Sequence, residues 1–234
     1  TMALKLGDDP GTGKTPSAVL AVAEAMARGH QGPVLVICPA GVVTSFLQTF
    51  KDWAPHLRAA RYMGPTRAKL LEGVRSAEEH AEHGEVRAVL VTSYSTASRD
   101  KEKLAAVQWG HLVLDEHHLI KTPGTSRSKA ARALADVARG VIVMSGTPIT
   151  HHPGDLWPAL YCMEPEAWPS RSRYRDRYLD TVPTDYGEEV AGFLPHRREE
   201  FELGMMGTQR RVSKADALPW LPPKVYQVRE VELP

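Results

Sequence analysis

Asp8-Asp9-Pro10-Gly11-Thr12-Gly13-Lys14-Thr15 lies between a short run, Met2 to Leu6, and a stretch with helical spacing. A glycine-containing loop between a strand and a helix turns successive backbone N–H groups into one concavity. The helix N-terminus adds partial positive charge there, and the combination holds phosphate oxygens. Gly11, Thr12, Gly13, Lys14 and Thr15 are therefore candidate phosphate-binding residues, with Lys14 directed to the β- and γ-phosphates and the Thr15 hydroxyl to Mg²⁺. The pattern G-x-x-x-x-G-K-[ST] asks for glycine where this chain has Asp8. Read alone, the same residues also suit a glycine-rich turn without a ligand.

Outward from the loop, Val19, Leu20, Val22, Ala23 and Met26 recur at helical spacing, with Pro16 tolerated in the first turn. Val34 to Cys38 is a continuous apolar run, the pattern of a strand buried on both faces. A second helix carries Phe46, Leu47, Phe50 and Trp53 on one side and stops at Pro55. Residues 58–63 suit a short strand and Thr66 to Arg75 a helix. Ser76 to Glu85 has no apolar period and reads as a solvated helix end or loop. Ala88 to Val91, His111 to Leu114 and Val141 to Met144 are further buried strands. A polar stretch, Ser93 to Lys103, precedes the second of these, and a helix over Ser126 to Val137 precedes the third. Strands alternating with helices predict an α/β core with a mostly parallel sheet over residues 1–163. Residues 164–218 read as a short helical extension without a clear strand. Residues 219–234 read as a proline-marked connector, with Val225 to Leu233 as a closing strand.

Composition narrows the function classes. The chain has 234 residues, a formal charge of +1, and 42% hydrophobic and 24% charged residues. These values suit a soluble globular protein and give no global attraction to nucleic acid. No apolar run approaches a membrane span, and no charged-then-apolar segment opens the chain, so an intracellular setting is expected. Cys38 and Cys162 stand far apart without metal spacing and read as reduced thiols. Adjacent histidines on a strand point apart, so His117-His118 and His151-His152 do not suggest zinc.

A second motif, Asp115-Glu116-His117-His118, follows the His111 to Leu114 strand. Phosphate cleavage needs one acid to hold Mg²⁺ and another to orient water. Adjacent carboxylates on an extended strand would point to opposite sides and so divide those roles. Open α/β sheets gather ligands at the carboxyl ends of their strands, where the Lys14 loop would also sit. Two surface acids at a strand end are the alternative reading of this pair taken alone, and the Lys14 loop beside it weighs against that alternative.

Taken together, the motifs resemble the first RecA-like lobe of a Swi/Snf-type helicase-superfamily-two ATPase. In that family the loop commonly reads D-D/E-x-G-x-G-K-T, which accommodates Asp8. Asp115 to His118 resembles the D-E-x-H box, with His117 in place of a small residue. Cys38-Pro39, Thr92-Ser93-Tyr94 and Ile120-Lys121 with Ser126 to Lys129 resemble further family segments. So do Ser145-Gly146-Thr147-Pro148-Ile149 with Leu156-Trp157, and Arg211, Lys214, Asp216 with Leu221-Pro222-Pro223-Lys224. The resemblance implies a RecA-like P-loop NTPase lobe with helices on both sheet faces, using ATP and Mg²⁺. By the same token Lys14, Asp115 and Glu116 would be catalytic, and Thr15 and Asp115 would hold the metal. His118, Ser145, Gly146 and Thr147 would couple nucleotide state to DNA. Pro39, Gly41 and Thr92 would lie where the family touches DNA phosphates.

The partners so implied are double-stranded DNA and a second RecA-like lobe, which in the family supplies arginine fingers. The chain alone is thus expected to bind MgATP weakly and hydrolyse little. A strand-separating helicase, a restriction-type translocase and a non-catalytic nucleotide-binding module stay open beside a remodelling-type translocase. The expected compartment is cytoplasm or nucleoid in a prokaryote or virus, and nucleus in a eukaryote. Arg171, Arg173, Arg175 and Arg177 form a basic cluster read as a solvated face, partly paired with Asp176 and Asp180.

Overall fold

In a computed structural model, residues 2–30, 32–79, 88–147, 149–185 and 187–222 are described. Five β-branched and aliphatic runs become strands: β1 (Met2–Leu6), β2 (Val34–Cys38), β4 (Ala88–Ser93), β5 (Trp109–Asp115) and β6 (Ala138–Met144). With the short edge strands β3 (Arg58–Arg61) and β9 (Gln209–Arg210) they form one seven-stranded sheet, ordered β3-β4-β2-β5-β6-β1-β9. Every pairing in it is parallel. A parallel sheet needs cover on both faces, which explains the unbroken apolar runs.

Side chains alternate between the faces with the strand period. Val34, Val36 and Cys38 pack toward α1 (Lys14–Ala27) and α2 (Val43–Trp53), whose Val19, Val22, Phe46 and Phe50 are buried. Leu35, Ile37, Leu112, Leu114 and Val143 face the other way. That face is covered by α3 (Arg67–Glu79), α4 (Tyr94–Arg99), α5 (Lys101–Ala105), α6 (Ser126–Ala135) and α7 (Trp157–Met163). The fold is the mostly parallel α/β sheet expected from the strand–helix alternation, with the helices on both faces that the RecA-like resemblance implies.

Several local expectations change. The polar stretch from Ser93 is two short helices, begun by the Ser93 hydroxyl accepting the Thr96 amide. Trp53 stands 55% exposed at the end of α2 instead of joining the apolar face. Beyond α7, the region expected to lack strands holds α8 (Arg171–Tyr178), an antiparallel hairpin of β7 (Leu179–Thr184) and β8 (Gly187–Phe193), and α9 (Pro195–Met205). The hairpin lacks strong apolar alternation because only Leu179 is buried in its first strand. Its anchor is an aromatic cluster in which Trp168, Tyr174, Tyr178 and Phe193 pack around Phe201. A last short helix, α10 (Lys214–Ala217), follows β9. The closing strand expected over Val225 to Leu233, and the end of the Ser76 to Glu85 stretch, lie outside the described residues.

Candidate active site

Strand register brings the motifs to one rim. Leu6 pairs with Met144, and Met144 with Asp115. Ile37 pairs with Leu114, and Cys38 with Ser93. The residues that follow β1, β6, β5, β2 and β4 therefore emerge side by side at the carboxyl edge, where open α/β sheets bind ligands.

The loop after β1 takes the shape its glycines permit. Gly11 and Gly13 have φ of 82° and 90°, a region open to glycine and strained for other residues. Gly13 caps α1 with no side-chain hydrogen bond, and no acid stands in the first turn of that helix. The first amides of α1 are thus left for an anion. The Lys14 ammonium donates to the Asp8 and Asp9 carbonyls at 2.7 and 3.0 Å. The Thr12 hydroxyl donates to the Asp9 carbonyl at 2.7 Å. On the neighbouring strand exit, Gly146 lies against the loop. A Cβ there would stand 2.9 Å from Pro10 Cγ and 3.5 Å from Lys14 Nζ. Glycine at 146 is a close-approach requirement.

Asp115 ends β5 and is buried. Burial, reinforced by the adjacent Glu116, pushes its carboxyl up to about 6, with Lys14 pulling the other way. The buried Asp115 carboxylate thus lies within electrostatic reach of the loop's ammonium. Glu116 does not continue the strand. Its φ of 49° makes it the one non-glycine residue with positive φ among the described residues, and it opens a 3-10 turn over His117–Ile120. The two acids therefore diverge because of a left-handed turn, which replaces the strand alternation expected from sequence. Strain of this kind is often held at functional sites.

The turn aims Glu116 at the β6 exit. Ser145 Oγ donates to Glu116 Oε2 at 3.0 Å and accepts the Thr147 amide at 3.1 Å. His118 Nδ1 lies 3.1 Å from Glu116 Oε2 and 3.2 Å from Ser145 Oγ. Glu116, His118, Ser145 and Thr147 thus form one polar network across β5 and β6. His117 goes the other way: it is fully buried, neither ring nitrogen has a partner, and burial with nearby Lys5 lowers its pKa to about 3. The Tyr94 hydroxyl donates to the Asp115 carbonyl at 2.8 Å and so fixes the end of β5.

A family model described as the SNF2-related domain matches residues 2–233. The chain belongs to this family. It is similar to the TATA-binding protein-associated factor mot1 of Schizosaccharomyces pombe, 26% identical over 243 residues, covering 95% of this chain and 12% of that protein. It is 29% identical over 240 residues to Protein CHROMATIN REMODELING 4 of Arabidopsis thaliana, covering 97% of this chain and 10% of that one. The SNF2-related chain therefore spans about a tenth of the length of these relatives. Its fold matches the Sulfolobus solfataricus SWI2/SNF2 ATPase core in complex with dsDNA. That match has a TM-score of 0.71 and 27% identity, and covers 92% of this chain and 41% of that one.

The remaining sequence-derived residues of this SNF2-related lobe divide. Pro39 and Gly41 sit at the exit of β2, half-buried and exposed respectively. Thr92 is fully buried and its hydroxyl donates to the Tyr62 carbonyl at 2.8 Å, so that hydroxyl is not available to a phosphate. Arg175 pairs with Asp176 and Glu188, and Arg177 with Glu200, so acids of β8 and α9 replace the expected Asp180. No cluster of three or more His, Cys, Asp or Glu suited to a metal ion occurs among the described residues. No helix among them is long and apolar enough to cross a membrane.

Sequence reasoning missed two partners of the site. Pro10 receives Gly146, and residues 208–214 run beside the loop. The Arg211–Asp216 motif was the available signal for the latter, but nothing in its pattern says what it touches.

Proposed function

We propose that this lobe binds MgATP and supplies the first half of an ATP-hydrolysing site that drives movement along double-stranded DNA. The observation that carries the reading is the meeting of the Lys14 loop, Asp115-Glu116 and Ser145–Thr147 on one rim, with Lys14 close enough to Asp115 to oppose its burial. Gly11, Thr12, Gly13 and the α1 amides cradle the phosphates, and the Lys14 ammonium exchanges its carbonyl partners for phosphate oxygens. The Thr15 hydroxyl and the Asp115 carboxylate would hold Mg²⁺, which when bound neutralises phosphate charge. Glu116 orients the attacking water and takes its proton on the carboxylate. The Ser145 hydroxyl and His118 hold that carboxylate in place.

The Ser145–Thr147 exit touches both Glu116 and the phosphate loop, so it is the route by which nucleotide state reaches the rest of the rim. Duplex DNA contacts the same edge through the Pro39–Gly41 exit, and a second RecA-like lobe completes the site. The neighbouring fold in complex with dsDNA supports this reading. Lys14→Ala is expected to abolish saturable binding of a fluorescent ATP analogue with Mg²⁺ while leaving the unfolding midpoint near wild type. An unchanged titration would overturn the assignment.

A further inference from the structure

Residues 208–214 form a strap along the phosphate loop, and its contacts converge on Asp8 and Asp9. We propose that Asp8 is a positioning residue for the nucleotide site: with Asp9 it ties this strap to the loop, so that nucleotide binding tightens the strap. The inference rests on the nucleotide reading above.

The strap starts as a strand and then leaves the sheet. β9 pairs with Lys5 and Leu6 at the end of β1. Main-chain bonds continue beyond the strand, from the Gly7 amide to the Arg210 carbonyl at 2.8 Å and from the Asp9 amide to the Val212 carbonyl at 3.0 Å. Here side chains take over. Asp8 Oδ1 accepts the Val212 amide at 2.8 Å, and Asp9 Oδ2 accepts the Lys214 amide at 2.9 Å. The Lys214 side chain then lies over the loop, its Cε 3.7 Å from where a Cβ on Gly11 would be.

Asp8 is the residue that departs from the standard phosphate-loop pattern. Glycine in its place would leave the Val212 amide without this acceptor. The carboxylate is fully buried, and its second oxygen has no hydrogen-bond partner and lies 3.9 Å from Arg210 Nη1. Burying such a group is costly, and the Val212 amide and Arg210 are what offset that cost. The carbonyls of the same two residues hold the Lys14 ammonium. The phosphate-binding ammonium and the strap thus share Asp8 and Asp9. When phosphate draws Lys14 away, the two residues that change partners are those that hold Val212 and Lys214. A link of this kind is a coupling free energy and acts in both directions.

The test combines titration of a fluorescent ATP analogue with Mg²⁺ and hydrogen–deuterium exchange over residues 208–214, on the whole chain and its variants. In wild type the analogue is expected to slow exchange of the strap. Asp8→Gly, although it restores the common loop glycine, is expected to speed strap exchange and weaken analogue binding about tenfold, whereas Asp8→Asn keeps the acceptor and stays within about threefold of wild type. Should Asp8→Gly not fold, Val212→Pro removes the amide donor while keeping the Asp8 side chain, and is expected to give the same two losses. Wild-type affinity and unaltered strap exchange in Asp8→Gly or Val212→Pro would overturn the proposal. So would a wild type that binds the analogue with no change in the strap. A wild type that binds no analogue would overturn the nucleotide reading instead, and the ligand-free comparison of Asp8→Gly with wild type would still decide the tether.

Discussion

Gly146 shows how far one atom matters at this site. Its backbone approaches the Pro10 ring so closely that a methyl group would sit 2.9 Å from Cγ and 3.1 Å from Cδ. A proline ring has no rotamer by which to step aside. Gly146→Ala is expected to lower stability by about 1–3 kcal/mol, in the range of overpacked sites, and to displace the β6 exit from the phosphate loop. Urea unfolding checks the first effect, and an unchanged midpoint would mean that the loop yields freely. Lys5 illustrates charge in place of shape. Burial, with Arg211 nearby, lowers its ammonium pKa to about 8, and it donates to Gln209 Oε1 at 3.1 Å. Below pH 8 the amine is charged in both folded and unfolded states, and the folded state carries the whole desolvation cost. Between pH 8 and 10.5 the unfolded state binds more protons, so this contribution to stability rises with pH, by up to about 3 kcal/mol. In Lys5→Met that rise is expected to disappear. The stability of the variant relative to wild type should therefore be greater at pH 7 than at pH 10, and an equal difference at both values would refute the buried charge.

At the scale of elements, the far edge of the sheet is fastened by a polar cluster as well as by the apolar packing of Leu71 and Val74. Asp100, between α4 and α5, is buried and accepts from Arg67 Nε at 2.6 Å and from the Tyr62 hydroxyl at 3.0 Å. Burial by itself would raise its pKa, but the Arg67 and Tyr62 hydrogen bonds outweigh it and hold the carboxyl below the usual range. This contribution is fully present at neutral pH and is lost as pH falls through the folded-state value. Asp100→Ala would leave the Tyr62 hydroxyl buried without a partner and Arg67 without its carboxylate. A loss of about 2–4 kcal/mol is expected, checked by thermal unfolding at pH 7, and Asp100→Asn should recover part of it. None of these three residues carries a motif, and their joining is invisible in sequence because 33 and 38 positions separate the partners. The hairpin of β7 and β8 was equally hidden. Its strands expose most of their residues, so the period that reveals the core strands is missing.

For the whole molecule, the seven-stranded sheet presents a rim where the glycine loop, the acid pair and the Ser145–Thr147 exit meet, and the strap's Arg210 reaches Ser17 at its side. An arginine finger from outside contributes roughly 10³–10⁵ in rate at comparable phosphoryl-transfer sites. The chain by itself is therefore expected to show little phosphate release from ATP, with or without duplex DNA, and steady DNA-stimulated turnover would overturn that expectation. The core strands, the glycine loop between β1 and α1, the acid pair at the end of β5 and the family were legible in the sequence. Each is a local pattern: an apolar run, glycines at fixed spacing, acids at a strand end. Their meeting on one rim was foreseeable from α/β topology, but the register that aligns Leu6, Met144 and Asp115 was not. Nor did local pattern reveal the left-handed turn that aims Glu116 at Ser145, the burial of Thr92, or the strap on Asp8. Those follow from contacts between residues up to about two hundred positions apart, where packing and hydrogen-bond satisfaction choose the partner. The sequence by itself determined the residues of the glycine loop and the elements that flank it. Tertiary structure decided that the acid at its first position binds the strap, because folding brings the Val212 amide to the buried Asp8 carboxylate from 204 positions away.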